Sequence, residues 1–152
     1  MSRLQAYSIM FFCGGFFYCI MEILARGRTH ISMFFAGGIC FLTIGSVRYL
    51  LGESSAFISQ MIVCGILITL IEFCIGLIVN RTLGLNVWDY SKEQYNLLGQ
   101  VCLFYSNLWF LLSAPIILLH DLLKALFLGI PLPHYRIFFL DWHNMLHETN
   151  TN

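Results

Sequence analysis

Four long runs of apolar residues dominate the chain, at positions 6–24, 33–51, 57–79 and 97–119. A bilayer core of about 30 Å takes about 20 mostly apolar residues as a helix, and each run meets that length. The first three carry one charge apiece, Glu22, Arg48 and Glu72, and the fourth carries none. The runs are continuous, without the in-and-out alternation of a barrel strand. Hydrocarbon gives backbone N–H and C=O groups no partners, so such runs satisfy them internally as helices. The pattern therefore predicts an all-α polytopic membrane protein, with a four-transmembrane-helix bundle over residues 1–119. Arg3 ahead of the first run resembles the start of a secretory leader. No small-residue cleavage site follows, however, and Glu22 sits inside the run, so it is read as the first helix of the mature protein.

Past Pro115 the pattern changes. His120, Asp121 and Lys124 interrupt Leu122, Leu123, Leu126 and Phe127, leaving one apolar face. That pattern predicts an interfacial amphipathic helix lying along the membrane surface, ended by Gly129, Pro131 and Pro133. Residues 134–147 offer a second amphipathic piece with Phe138, Phe139, Trp142 and Leu146. The 120–152 stretch is thus expected to be an amphipathic C-terminal segment and tail; Asp121 and Lys124 make a fifth span over 116–133 the poorer choice. Orientation stays open, because Arg3, Arg48, Lys124 and Arg136 on one side balance Arg26, Arg28, Arg81 and Lys92 on the other.

Composition agrees with the pattern. Hydrophobic residues make up 59% and charged residues 11%, against about 45–50% and 25% in soluble domains. A small water-soluble domain has too much surface to cover with so few polar groups, and a disordered chain is poor in apolar residues. Eight Lys+Arg against eight Asp+Glu gives no basic surplus for nucleic acid, so the lipid bilayer is the expected partner. The six cysteines fall inside the expected spans and form no C-x-x-C pair, as small buried hydrophobes would. His143 and His147 are four apart but lack the Glu of H-E-x-x-H. No metal, cofactor or catalytic residue is expected, and neither a P-loop nor a G-x-S-x-G motif occurs in the sequence. A non-enzymatic protein is the expectation.

The polar residues inside the spans carry the candidate chemistry. An ionised group at mid-bilayer costs about 3 kcal/mol or more and usually faces a bundle interior or a wet cavity. Glu22 has Arg26 one turn later, a favourable order for an ion pair. Glu72 has no such neighbour, since positions 76 and 80 are Gly and Asn. Helices one and three run the same way, so both acids fall toward one membrane side. Placed on helix four, Asn96, Gln100 and Asn107 recur at spacings of four and seven and share a face. Gly65, Thr69 and Gly76 on the Glu72 face permit close helix approach. Trp88, Asp89, Tyr90 and Ser91 follow at the interface, where aromatic rings settle. These residues predict a polar pocket near one membrane face. The plainer alternative is that Glu72, Arg48 and Asn107 glue helices together and that Asp89 or Ser91 caps helix four.

Several of these residues also carry a resemblance. Glu22, the run R-T-H-I-S-M at 28–33 and Gly37-Gly38 make up its first half. Ile71-Glu72-Phe73, Gly76, Asn80, N-V-W-D-Y-S at 86–91, Y-N-L-L-G-Q-V-C-L at 95–103, L-W-F-L-L-S at 108–113 and Pro133-His134-Tyr135 make up the second. Over residues 12–138 the chain resembles a bacterial family of type IV ABC-transporter permeases. The resemblance implies a multi-span membrane protein with Glu22, Glu72, Trp88, Asp89, Tyr90, Ser91, Asn96, Gly99 and Gln100 as signature positions. The expectation is a small permease-like subunit of the cell membrane. Glu22, Glu72, Trp88, Asp89, Tyr90, Ser91, Asn96 and Gln100 would bind a small polar or lipid head-group ligand. Four helices cannot enclose a path alone, so this reading needs a homo-oligomer or a separate ATPase subunit, with residues 120–128 as the coupling candidate. The alternative is a non-transporting accessory or scaffold protein whose polar residues only specify helix packing.

Overall fold

A computed structural model describes residues 2–52 and 54–136. Four helices, α1 (Arg3–Arg26), α2 (Ile31–Leu51), α3 (Phe57–Gly76) and α4 (Leu103–Leu128), are each long and apolar enough to cross a membrane. They run up and down in sequence. Ser2 caps α1 in a reciprocal box with Gln5. Gly27, at φ 69°, closes α1 in the left-handed conformation that glycine adopts without strain.

Small residues set the closest contact, between α1 and α2. A Cβ on Gly14 would fall 2.3 Å from the Cβ of Phe41, and one on Gly37 would fall 2.7 Å from the carbonyl oxygen of Gly14. Lipid gives helices no hydrophobic drive toward each other, so this intimate packing supplies the attraction instead. Met10, Phe41, Ile44, Cys64, Ile68 and Ile117 form the shared core. Only 22–39% of each span is buried, and Phe12, Phe16, Ile66, Leu70 and Leu111 point outward. That is the surface of a protein solvated by acyl chains. The all-helical membrane bundle is therefore as the apolar pattern predicted.

The third helix does not end as a plain α-helix. Leu77–Thr82 widen into a π-helical turn, in which the Leu83 N–H donates to the Ile78 carbonyl at 2.8 Å. An i, i+4, i+8 row drifts forward on a helix of about 3.6 residues per turn, and a wider turn offsets that drift. Glu72 and Asn80 are both buried, Glu72 meeting Trp109 on α4 and Gly76 and Asn80 meeting Gln100 just ahead of it.

The fourth helix differs from the expectation at both ends. Residues 97–102 are not helical: Asn96–Leu97 (β1) and Val101–Cys102 (β2) pair antiparallel, Asn96 opposite Cys102 and Leu97 opposite Val101. Tyr95, Leu98 and Gly99 take positive φ (53°, 54° and 70°), which an α-helix cannot contain. Asn96 and Gln100 consequently lie in a hairpin ahead of α4 and share no helix face with Asn107. At the other end α4 runs without a break through residue 119 to Leu128, with Pro115 inside it. The interfacial helix expected after 119 is thus continuous with α4 as far as the left-handed Gly129. Proline lacks the N–H that Leu111 would accept, a loss membrane helices tolerate. Of the second amphipathic piece, residues 137–147 lie outside the described residues.

Candidate functional site

The segment between α3 and α4, residues 83–102, folds back over one end of the bundle. Trp88, Tyr90, Gln100, Val101 and Cys102 within it are buried. Trp88, Tyr90 and Cys102 form a second core with Met33, packed against Tyr18, Ile75 and Tyr105. Polar contacts fix it in place. Asn80 Nδ2 donates to Gln100 Oε1 at 2.9 Å, and Asn80 Oδ1 accepts from the Val87 N–H at 2.7 Å. The Trp88 indole donates to the Gln100 carbonyl at 2.8 Å, while Gln100 Nε2 donates to the Leu98 carbonyl at 3.1 Å. Gly76 makes room: a Cβ there would fall 2.6 Å from Gln100 Oε1 and 3.0 Å from the Trp88 ring.

Glu72 is 5% exposed and sits beneath this segment. Its Oε2 accepts from the Trp109 indole at 2.7 Å and its Oε1 from the Tyr90 hydroxyl at 3.3 Å. Both rings are braced, Trp109 stacked on Tyr18 at 5.5 Å and Tyr90 on Tyr105 at 4.4 Å. Burial, with the Glu72 carboxylate close by, raises the Tyr90 pKa further above its ordinary value, so the phenol keeps the proton it donates.

Glu22 is also buried but answers to other partners. It is paired with Arg26, and Thr29 Oγ1 donates to it at 2.6 Å. Among the described residues no hydrogen bond joins Glu22, Glu72 and Gln100 to one another; each has its own donors. The carboxyl of Asp89, at the surface, accepts from the Ser91 N–H at 2.8 Å and the Ser91 hydroxyl at 2.9 Å. These bonds hold its pKa below the usual carboxylate range. Asn96 Nδ2 donates to the carbonyls of Ser91 and Glu93, and its Oδ1 accepts from the Gly99 N–H. Gly99 is required here on two counts: its φ is 70°, and a Cβ would meet Asp89 Oδ1 at 2.8 Å.

The eight candidate residues therefore fall into three groups: Glu22 with the α1–α2 turn, Glu72 with Tyr90, and Trp88, Asp89, Ser91, Asn96 and Gln100 as the internal fabric of the folded-back segment. Asn107 joins none of them. It is exposed on α4, lining an open groove with Gly65, Thr69 and Ser106.

Tyr18, Asn80, Tyr105 and Trp109 belong to the site without having been chosen for it. Trp109 had a signal in the sequence, because an indole N–H inside a span needs an acceptor. A further cluster at the opposite end was missed. Arg48 Nη2 donates to Asp121 Oδ2 at 3.5 Å, the Tyr135 hydroxyl donates to the same oxygen at 2.9 Å, and His120 Nδ1 lies 3.6 Å from Oδ1. Burial, then the bond to Asp121, pushes the Tyr135 phenol up to about 12. The opposite charges of Arg48 and Asp121 were the available clue. An apolar pocket of about 30 Å³ lies between the helices, walled by Gly14, Tyr18, Gly37, Cys40, Ile68 and Trp109 among others.

A family model described as "Putative ABC-transporter type IV" matches residues 6–141. The chain belongs to that family. No curated protein and no solved structure matches the chain. The match takes in α1 from Ala6 onward and the other three helices of this type IV family member whole, together with the folded-back segment. It is an ABC-transporter-like membrane protein whose polar side chains gather at the two ends of an apolar bundle.

Proposed function

We propose that this family member is a permease-like subunit of an ABC-type transporter in the cell membrane. On this reading the end of the bundle bearing Glu22, Glu72 and Gln100 binds a small polar or lipid head-group ligand. The supporting observation is Glu72, a carboxylate 5% exposed within a span. One of its two donors, Tyr90, comes from the folded-back segment and not from a helix. A ligand carrying N–H or O–H donors replaces Tyr90 when the segment lifts, at little net cost in hydrogen bonds. Trp88, Asp89, Ser91, Asn96 and Gln100 then act as the fabric of that cover, and Glu22 orders the neighbouring turn. Four helices cannot enclose a path alone, so transport requires further copies or other spans. The ATPase comes from a separate subunit.

A second reading, an accessory protein whose polar residues only specify packing, draws on the complete pairing of Glu72 and Gln100 within the chain. Glu72→Gln and Glu72→Leu, expressed in a strain deleted for the gene, separate the two. The permease-like reading expects Glu72→Gln to fold, to co-purify with an ATPase and to fail to restore the phenotype. Full restoration by Glu72→Gln refutes it.

A further inference from the structure

Next to the covered carboxylates, one concave site remains open. It lies between the α1–α2 turn and the loop after α3, holds about 170 Å³, and is lined by Arg26, Arg28, Thr29, His30, Leu85, Asn86 and Val87. A water's share of liquid volume is about 30 Å³, so the site takes a multi-atom group. No carboxylate is among its lining residues, and the charges do not cancel. Glu22 neutralises Arg26 and also engages Thr29, while among the described residues Arg28 has no carboxylate partner. His30 Nδ1 accepts from the Ser32 N–H at 3.2 Å, which leaves the ring proton on Nε2 as a donor. Left-handed Gly27 separates the two arginines and turns the chain back into α2. An arginine fork suits the oxygens of a phosphate group.

We propose that this pocket binds a phosphate-bearing anion, with Arg28 as the principal cation and His30 as a second donor. The proposal sharpens the preceding reading by giving its ligand a chemical class, and it rests on that reading only for the claim that the ligand is cargo. Two sources share the chemistry: a free phosphate-containing solute and the head group of an anionic phospholipid. Leu24, Ile31, Leu83 and Leu85, exposed by 50% or more around the turn and the loop, give acyl chains a surface beside the pocket.

The test uses the full chain purified in a neutral detergent, with bound lipid counted by native mass spectrometry. Phosphatidylglycerol, phosphatidylcholine and inorganic phosphate are the probes. Arg28→Gln is the test variant and Arg81→Gln the control, a cation on the same side outside the pocket. Equal melting curves confirm that both variants fold. Losing a charge-assisted contact predicts at least about a tenfold weaker affinity in Arg28→Gln and less than about twofold in Arg81→Gln. Phosphatidylglycerol retained against millimolar phosphate identifies a head group; displacement by phosphate identifies a free anion. Equal losses in the two variants, or equal binding of phosphatidylglycerol and phosphatidylcholine with no phosphate binding, overturn the proposal. The two failures are told apart by their readouts: the absence of selective anion binding by the purified parent chain overturns the pocket, whereas full restoration of the phenotype by Glu72→Gln overturns the preceding reading.

Discussion

The two ends of the bundle bury polarity by different means. At the hairpin end Glu72 meets neutral donors, an indole and a phenol, and among the described residues no buried side-chain nitrogen or oxygen around it lacks a partner. At the far end Asp121 meets a guanidinium, a phenol and an imidazole, and Arg48 Nε is the one buried side-chain nitrogen without a partner among the described residues. The first arrangement fastens a twenty-residue connection to the helices; the second fastens helix to helix, α2 to α4, with Tyr135 following. The difference is one of what has to move. On the proposed reading Tyr90 leaves Glu72 with its segment while the four helices stay packed, whereas separating Arg48 from Asp121 would pull the bundle itself apart.

The sharpest way to break this contrast is Asp121→Leu. It strands Arg48, whose side chain is 16% exposed, and stranding a buried charge costs about 3–5 kcal/mol. Thermal melting of the detergent-solubilised chain should show the loss as one cooperative shift of the whole transition. Glu72→Leu comes next. It leaves the Trp109 N–H and the Tyr90 hydroxyl without acceptors, at about 1–3 kcal/mol for each buried donor. Its signature is local: hydrogen exchange should rise over residues 83–102 more than in the helices. An Asp121 variant that loosens only its own end, or a Glu72 variant that melts the helices together, would erase the distinction.

A subtler probe is Gly76→Ala. Its methyl would sit 2.6 Å from Gln100 Oε1, and overpacking of this kind costs about 1–3 kcal/mol. The hairpin should become protease-sensitive while α1 and α2 remain protected. The smallest effect concerns pH. The Asp89 pKa is lowered in the folded chain by its bonds to Ser91, so its contribution is fully present above the ordinary aspartate pKa. That contribution is lost as pH falls through the lowered folded value. Acidification should raise hydrogen exchange, corrected for its intrinsic pH dependence, at the Ser91 amide, which donates to Asp89, and Asp89→Asn should abolish that response.

Much of this architecture was legible in the chain. Runs of about twenty apolar residues leave a backbone in lipid no choice but helix, so the existence of four spans could be read directly. So could the inward placement of Glu22 and Glu72, because hydrocarbon penalises a carboxylate wherever it lies along the chain, and so could the Glu22–Arg26 pair, which is local. Where helix four begins was not legible. Residues 97–119 are apolar throughout, and a hydrophobic count cannot see that Gly99 must sit at positive φ against Asp89, or that Asn80 and Trp88 claim both ends of Gln100. Nor does the sequence indicate that Trp109 reaches Glu72 or that Arg48 reaches Asp121, partners 37 and 73 positions apart. The solvent's demand acts on each residue singly and is written along the chain. Which donor meets which acceptor is fixed by the packing of four helices at once, and only the tertiary structure decided it.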